Sequence, residues 1–177
     1  QLGMRRVPTA LSFQTIKSGD SLSQGSAQYD GIMSWSTFEH VRRDQLSLIL
    51  EDLHACLRPG GYFFIQIEPL YFSAYGSHLR RYDETPWHHL LATEDELWKV
   101  IEAHQGPIDP AEVDFGFADF GVEGYKRFVF NEYKALNRLT ADELVAFAQS
   151  AGFSVAREER RSLDISPPDS LLAKYPR

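Results

Sequence analysis

The side chains best suited to moving a proton near neutral pH are the six histidines, and three of them, His78, His88 and His89, fall in one stretch crowded with aromatic residues. A group that takes a proton from an acceptor needs such a pKa, which makes these three the candidate general bases. Each also has a plainer reading, since a lone histidine is more often a packed or surface residue. A metalloenzyme built on the same three is not favoured, because there is no HExxH and no Cys/His pair at zinc spacing. G-x-S-x-G is missing, which demotes a hydrolase, and no Gly-rich dinucleotide fingerprint is present. A second group of interest is Ser34-Trp35-Ser36, followed by Glu39-His40. Trp35 could pack beneath the next helix and Glu39 could serve only as an acidic helix start. Alternatively, both could line a pocket.

The choice depends on the elements that carry them. Tyr29–Pro69 reads YDGIMSWSTFEHVRRDQLSLILEDLHACLRPGGYFFIQIEP, the order of a strand–helix–strand crossover. Tyr29–Ser34 and Tyr62–Ile67 are short apolar runs of the kind buried in a parallel sheet with helices on both faces. Between them Leu46, Ile49, Leu50, Leu53 and Leu57 recur at helical spacing, and Arg58-Pro59-Gly60-Gly61 ends the helix. In an open parallel α/β sheet ligands lie across the carboxyl ends of the strands. The loops that matter are then 34–40 and 68–78.

Asp30-Gly31-Ile32-Met33-Ser34, Phe38-Glu39-His40-Val41 and Leu57-Arg58-Pro59-Gly60-Gly61 before an apolar strand together resemble the fourth-to-fifth-strand region of class I S-adenosylmethionine-dependent methyltransferases. The resemblance is closest over residues 10–69 and looser over Asn137–Arg161. It implies an incomplete Rossmann-like α/β fold, with a mainly parallel sheet, flanking helices and a mixed insertion or cap. It also implies S-adenosyl-L-methionine as cofactor. Asp20 of the Gly19-Asp20 pair, with Ser21, matches the position beside the cofactor's adenine, although Gly-Asp is also ordinary turn chemistry. Ser34, Trp35, Ser36 and Glu39 match the remaining cofactor-side positions. Gly76-Ser77-His78-Leu79 and Pro86-Trp87-His88-His89-Leu90-Leu91 resemble an insertion in a subset of bacterial members, whose substrates the resemblance does not assign.

Methyl transfer from a sulfonium requires alignment of the nucleophile and a base where the nucleophile carries a proton. The family also holds its cofactor with a Gly-rich loop after the first strand, and no such loop precedes residue 10. The chain begins at Gln1 rather than Met. The expectation is therefore the carboxyl-terminal part of a methyltransferase domain, binding cofactor weakly or not at all by itself and acting in its full-length form on a small-molecule acceptor. The rival is a non-catalytic α/β interaction module derived from the same fold.

Beyond the crossover, Leu11–Ile16 alternates as a strand, and Leu70–His78 reads as an aromatic pocket wall. Thr93-Glu94-Asp95-Glu96 and Thr140-Ala141-Asp142-Glu143 are capping boxes that open helices. Residues 108–136 show no clean period and read as a lid or irregular insertion. Phe153–Ala156 alternates as a further strand, and Pro167-Pro168 keeps the tail out of a sheet. One partial domain accounts for 1–177, with 10–69 and 137–161 core-like and 70–136 an insertion or substrate cap. At 43% hydrophobic residues the chain can fill a core, and a net charge of -7 without a basic block argues against nucleic acid as main partner. The lone Cys56 reads as a core residue. No membrane span or secretory leader is evident, which favours the cytoplasm, and an incomplete sheet could complete its edges in another copy of the chain.

Overall fold

A computed structural model describes Ala10, Thr15, Lys17, residues 20–22, 29–106 and 117–175, without the side chains of 117–120. The strand expected over Leu11–Ile16 lies, Thr15 apart, outside the described residues.

The crossover forms as the pattern dictates. Strand β1, Tyr29–Trp35, leads through two short 3-10 turns, Phe38–His40 and Arg43–Gln45, into helix α1, Leu46–Cys56, and then strand β2, Leu57–Gln66. The strands run parallel, in register from Gly31 opposite Tyr62 to Trp35 opposite Gln66. At Gly31 the Tyr62 ring lies over the bare backbone, 2.9 Å from where a Cβ would stand, so a larger residue there would make the exposed ring turn aside. The helix ends one residue earlier than the Leu periodicity suggests. Leu57 already pairs with Tyr29, and the chain bulges through Pro59, which lacks an N–H, and Gly60, at φ +81°, before regular pairing resumes.

Leu46, Leu50, Leu53 and Cys56 form the buried stripe of α1. With helix α5, Ala141–Ser150, and with Phe38, Leu139 and Ala151, they cover one face of the sheet, where Ile32, Phe63 and Ile65 point inward. Burial also pushes the Cys56 thiol pKa up, in keeping with an inert core residue. The other face is not covered among the described residues. Met33 and Tyr62 are each 70% exposed there, beside Trp35 and Phe64, so the described residues supply helices to one face of the sheet.

Both capping boxes form. Thr93 opens helix α3, Glu94–Ala103, and Thr140 opens α5, each hydroxyl accepting from the backbone N–H three residues on while the Glu there reaches back. The strand expected over Phe153–Ala156 does not form, and among the described residues no strand lies beside it to share a ladder. Instead the Phe153 N–H donates to the Ala148 carbonyl behind Gly152, at φ +99°, a closure that ends α5. The Phe153 ring then packs on Phe63 and His54.

A second core holds Tyr71, Leu79, Tyr82, Leu90, Leu97, Ile101, Phe130, Tyr133, Leu136 and Leu171. It is built by the 70–87 loops, α2 (His88–Leu91), α3, α4 (Phe117–Ala135) and α6 (Asp169–Lys174). The expectation of an irregular stretch over 108–136 is thus corrected from 117 onward. Its aromatic residues sit on a helix whose register is interrupted at Gly121 (φ 63°, ψ -178°), which hides the period. Among the described residues no helix is long and apolar enough to cross a membrane.

Candidate functional site

The tips of β1 and β2 emerge at the same end of the sheet. The Ser36 N–H donates to the Gln66 carbonyl at 2.9 Å, and its hydroxyl lies 3.4 Å from the Glu68 carbonyl. Past that point Thr37 turns the chain, its hydroxyl donating to the Trp35 carbonyl at 2.9 Å, and buried Phe38 anchors the following 3-10 turn in the core. The anchor carries Glu39 inward with it.

Asn137, just after α4, holds this turn from the other side. Its side-chain amide donates to the Phe38 carbonyl at 2.5 Å and the Val41 carbonyl at 2.9 Å, and its N–H donates to the Glu39 carbonyl at 3.0 Å. Glu39 is only 5% exposed, and neither carboxylate oxygen has a partner beyond the approach of its own amide. Burial accordingly raises its pKa.

On the β2 side, successive turns over Leu70–His78 fold the aromatic segment back on itself. The chain reaches His78 in the left-handed region (φ 61°) and lays its ring edge-on against His40, centroids 5.4 Å apart. Burial, more than the neighbouring His40, lowers the pKa of its imidazole, and the nearby Pro69 carbonyl opposes that shift. His40 in turn has Glu132 of α4 at 3.8 Å. One donor atom from each of Glu39, His40 and His78 lies within 4.8 Å of the others.

Two spaces share His78 as a wall. A small cavity behind it is bounded by Glu39, Ile67, Tyr71 and Asn137. An open groove of about 720 Å³ in front of it is lined by Tyr82, Tyr125, Phe128 and Tyr133, with Arg80, Arg81, Glu84 and Glu132. Arg80 stacks on the Tyr75 ring at 4.6 Å, and Arg81 donates to the Tyr125 hydroxyl at 3.2 Å.

The sequence-derived candidates therefore separate. His78 and Glu39 are brought together. His89 is elsewhere: it is buried in the second core with Nε2 2.8 Å from the Tyr71 carbonyl, and burial lowers its pKa. His88 pairs through Nδ1 with Asp83 at 2.5 Å, away from the Glu39–His78 cluster. Ser34 and Ser36 lie at the strand tip, and Trp35, 59% exposed, stands on the uncovered sheet face rather than beneath a helix. The Asp20 carboxylate accepts from the Lys17 N–H at 3.1 Å, and the Ser21 hydroxyl donates to Asp52 on α1 at 2.6 Å. Sequence reading named His40 beside Glu39 without giving it a role, and passed over Asn137. His40 follows Glu39 directly and was legible as a donor, whereas Asn137 is a partner only through the fold.

A parallel crossover with a cavity and groove beyond its strands' carboxyl ends is the arrangement of a ligand-binding α/β enzyme domain. The family is narrower than that: a model described as a methyltransferase domain matches residues 10–158, most of the chain, and the protein belongs to that family. Neither a curated protein nor a solved structure matches it.

Proposed function

We propose that the protein takes part in transfer of a methyl group from S-adenosylmethionine to a small-molecule acceptor. The observation that carries this reading is the family match over 10–158, joined to the parallel strands whose tips, at Ser34–Ser36 and Glu68, open on one side. The cofactor would lie across those tips, with Ser34, Trp35 and Ser36 on its near side and Asp20 and Ser21 toward its adenine. The acceptor would lie in the groove in front of His78. Tyr82, Tyr125, Phe128 and Tyr133 favour a flat apolar body.

Of the three histidines with a base role in view, His78 is the one on the groove. Its lowered pKa leaves the imidazole neutral at pH 7, with a lone pair available for an acceptor proton. Methyl transfer itself then asks for alignment of acceptor and sulfonium rather than a covalent nucleophile.

The test is calorimetric titration of S-adenosylmethionine and S-adenosylhomocysteine into the full-length gene product. Saturable binding of both, lost when Ser34 and Ser36 are replaced by bulkier residues, supports the reading. Absence of heat with either ligand would sink it.

A further inference from the structure

We propose that Glu39, His40 and His78 form a binding site for one divalent first-row transition-metal ion at the inner end of the groove. The inference goes beyond methyl transfer and does not rest on it.

Three observations converge. The first is the donor set: one carboxylate and two imidazoles, each offering an atom within 4.8 Å of the other two. Two histidines and one carboxylate on one side of an ion, with the remaining positions open, is a recognised arrangement for such ions, and imidazole disfavours Mg²⁺ and Ca²⁺. Donors about 2.1 Å from a common ion are at most about 4.2 Å apart. The remaining gap is small, and His40, with about a third of its side chain exposed, has room to turn and close it.

The second is Glu39. A carboxyl group 95% removed from solvent, with no hydrogen-bond partner on either oxygen among the described residues, is costly to keep charged, and its own backbone amide and the neighbouring His40 offset that cost only in part. Its carboxyl borders the same small cavity as His78. A cation there would supply the missing partner.

The third is what holds the imidazoles. Metal-binding histidines usually donate their second ring N–H to a carbonyl or carboxylate, which fixes the tautomer and leaves the other nitrogen free to ligate. The Pro69 backbone lies near the His78 ring, and His40 Nδ1 has the Glu132 carboxylate at 3.8 Å. The turn carrying Glu39 and His40 is itself pinned by three hydrogen bonds from Asn137. The backbone that carries these two donors is therefore held in place before any ion arrives, while the His40 ring stays free to turn.

The open positions would face the groove. A hydroxyl or carboxylate of a groove-bound molecule could occupy one of them, and coordination would lower that hydroxyl's pKa. The two imidazoles are then ligands rather than bases, and the proton leaves to water.

The probe is Co²⁺, with Zn²⁺ as competitor, titrated into untagged, chelator-treated protein and followed by its visible d–d bands and by calorimetry. The expected result is one ion per chain, displaced by Zn²⁺ and unaffected by a large excess of Mg²⁺. Glu39→Gln and His78→Asn, the latter chosen because Asn tolerates a positive φ, should weaken binding by more than about 100-fold, beyond the 10–100-fold typical of losing an outer-shell partner. His88→Asn, outside the cluster, should bind as wild type does. If Glu39→Gln fails to fold, His40→Ala, at a half-exposed position, carries the same expectation. No d–d bands at one equivalent overturns the proposal. Unchanged affinity in His78→Asn and His40→Ala also overturns it, because the ion then sits elsewhere. Neither outcome bears on whether S-adenosylmethionine binds.

Discussion

At the scale of single residues, two of the buried polar groups, Glu39 and His89, follow opposite logic. Around Glu39, carbonyls are satisfied and the carboxylate is not; the Asn137 amide accounts for the first half of that. Replacing Asn137 with Ala removes the side-chain donor to the Val41 carbonyl and leaves the Phe38 carbonyl only the Val41 N–H at 3.3 Å, and urea unfolding should show a loss of about 1–3 kcal/mol. Around His89, the imidazole is neutral, buried and bonded to the Tyr71 carbonyl. Burial places its pKa below the ordinary 6.5, so between the folded and unfolded values the unfolded chain binds the extra proton. Its stabilising contribution is complete above about pH 6.5 and is lost as pH falls through that range. His78 acts in the same sense, also chiefly through burial. His89→Gln, which can still donate to the Tyr71 carbonyl, should flatten the decline in stability from about pH 7 to pH 5 measured by chemical denaturation at a series of pH values. A slope as steep as wild type would show that His89 titrates freely in the fold.

At the scale of elements, α1 and α5 are fixed differently. α1 owes its place to burial: Leu50 is fully enclosed between the sheet and the neighbouring residues of its core. Leu50→Ala should cost about 2–5 kcal/mol in equilibrium unfolding, the range for a large-to-small change in a closed core. α5 has no buried residue within its span and leans on its first turn. Thr140→Ala should therefore cost about 1 kcal/mol in the same assay. Glu143 in that box also pairs with Arg43 across from α1's lead-in turn. That pairing, with the Thr140 amide, holds its pKa at about 2, below the ordinary 4.5. A depressed carboxyl pKa stabilises the fold above the unfolded value and stops doing so as pH falls toward the folded one. The stability gap between wild type and Glu143→Gln should thus close between about pH 4.5 and pH 2. Because Glu143 is well exposed, the effect should also shrink with added salt.

At the scale of the whole molecule, the described residues make two cores meeting at the Glu39–His78 cluster, and one sheet face that neither core covers. Met33, Trp35, Tyr62 and Phe64 form a contiguous apolar surface on that face, with Met33 and Phe64 directly paired across the strands. Met33→Lys should cut binding of a hydrophobic fluorescent dye while changing unfolding free energy by no more than about 0.5 kcal/mol, as for a surface substitution. A destabilisation of several kcal/mol would show that the face is covered after all.

The crossover, the buried stripe of α1 and both capping boxes were legible in the sequence because each is set by spacing within a dozen residues: leucines three and four apart, and Thr with Glu three residues later. The same holds for the family, whose signature lies in short motifs around Ser34, Glu39 and Gly60-Gly61. Phe153–Ala156 alternated convincingly and still formed no strand, since a strand exists only when another lies beside it. The long helix α4 was hidden by its interruption at Gly121. Which of the three histidines could serve the site was likewise beyond the sequence: His78 and His88 are alike in type and neighbourhood, and only the turns over 70–78 bring one of them against Glu39 and His40. Local spacing determined the elements and the family, while contacts between residues as far apart as Phe38 and Asn137 decided where the chemistry gathers, because a site built from several loops has no address until those loops are folded together.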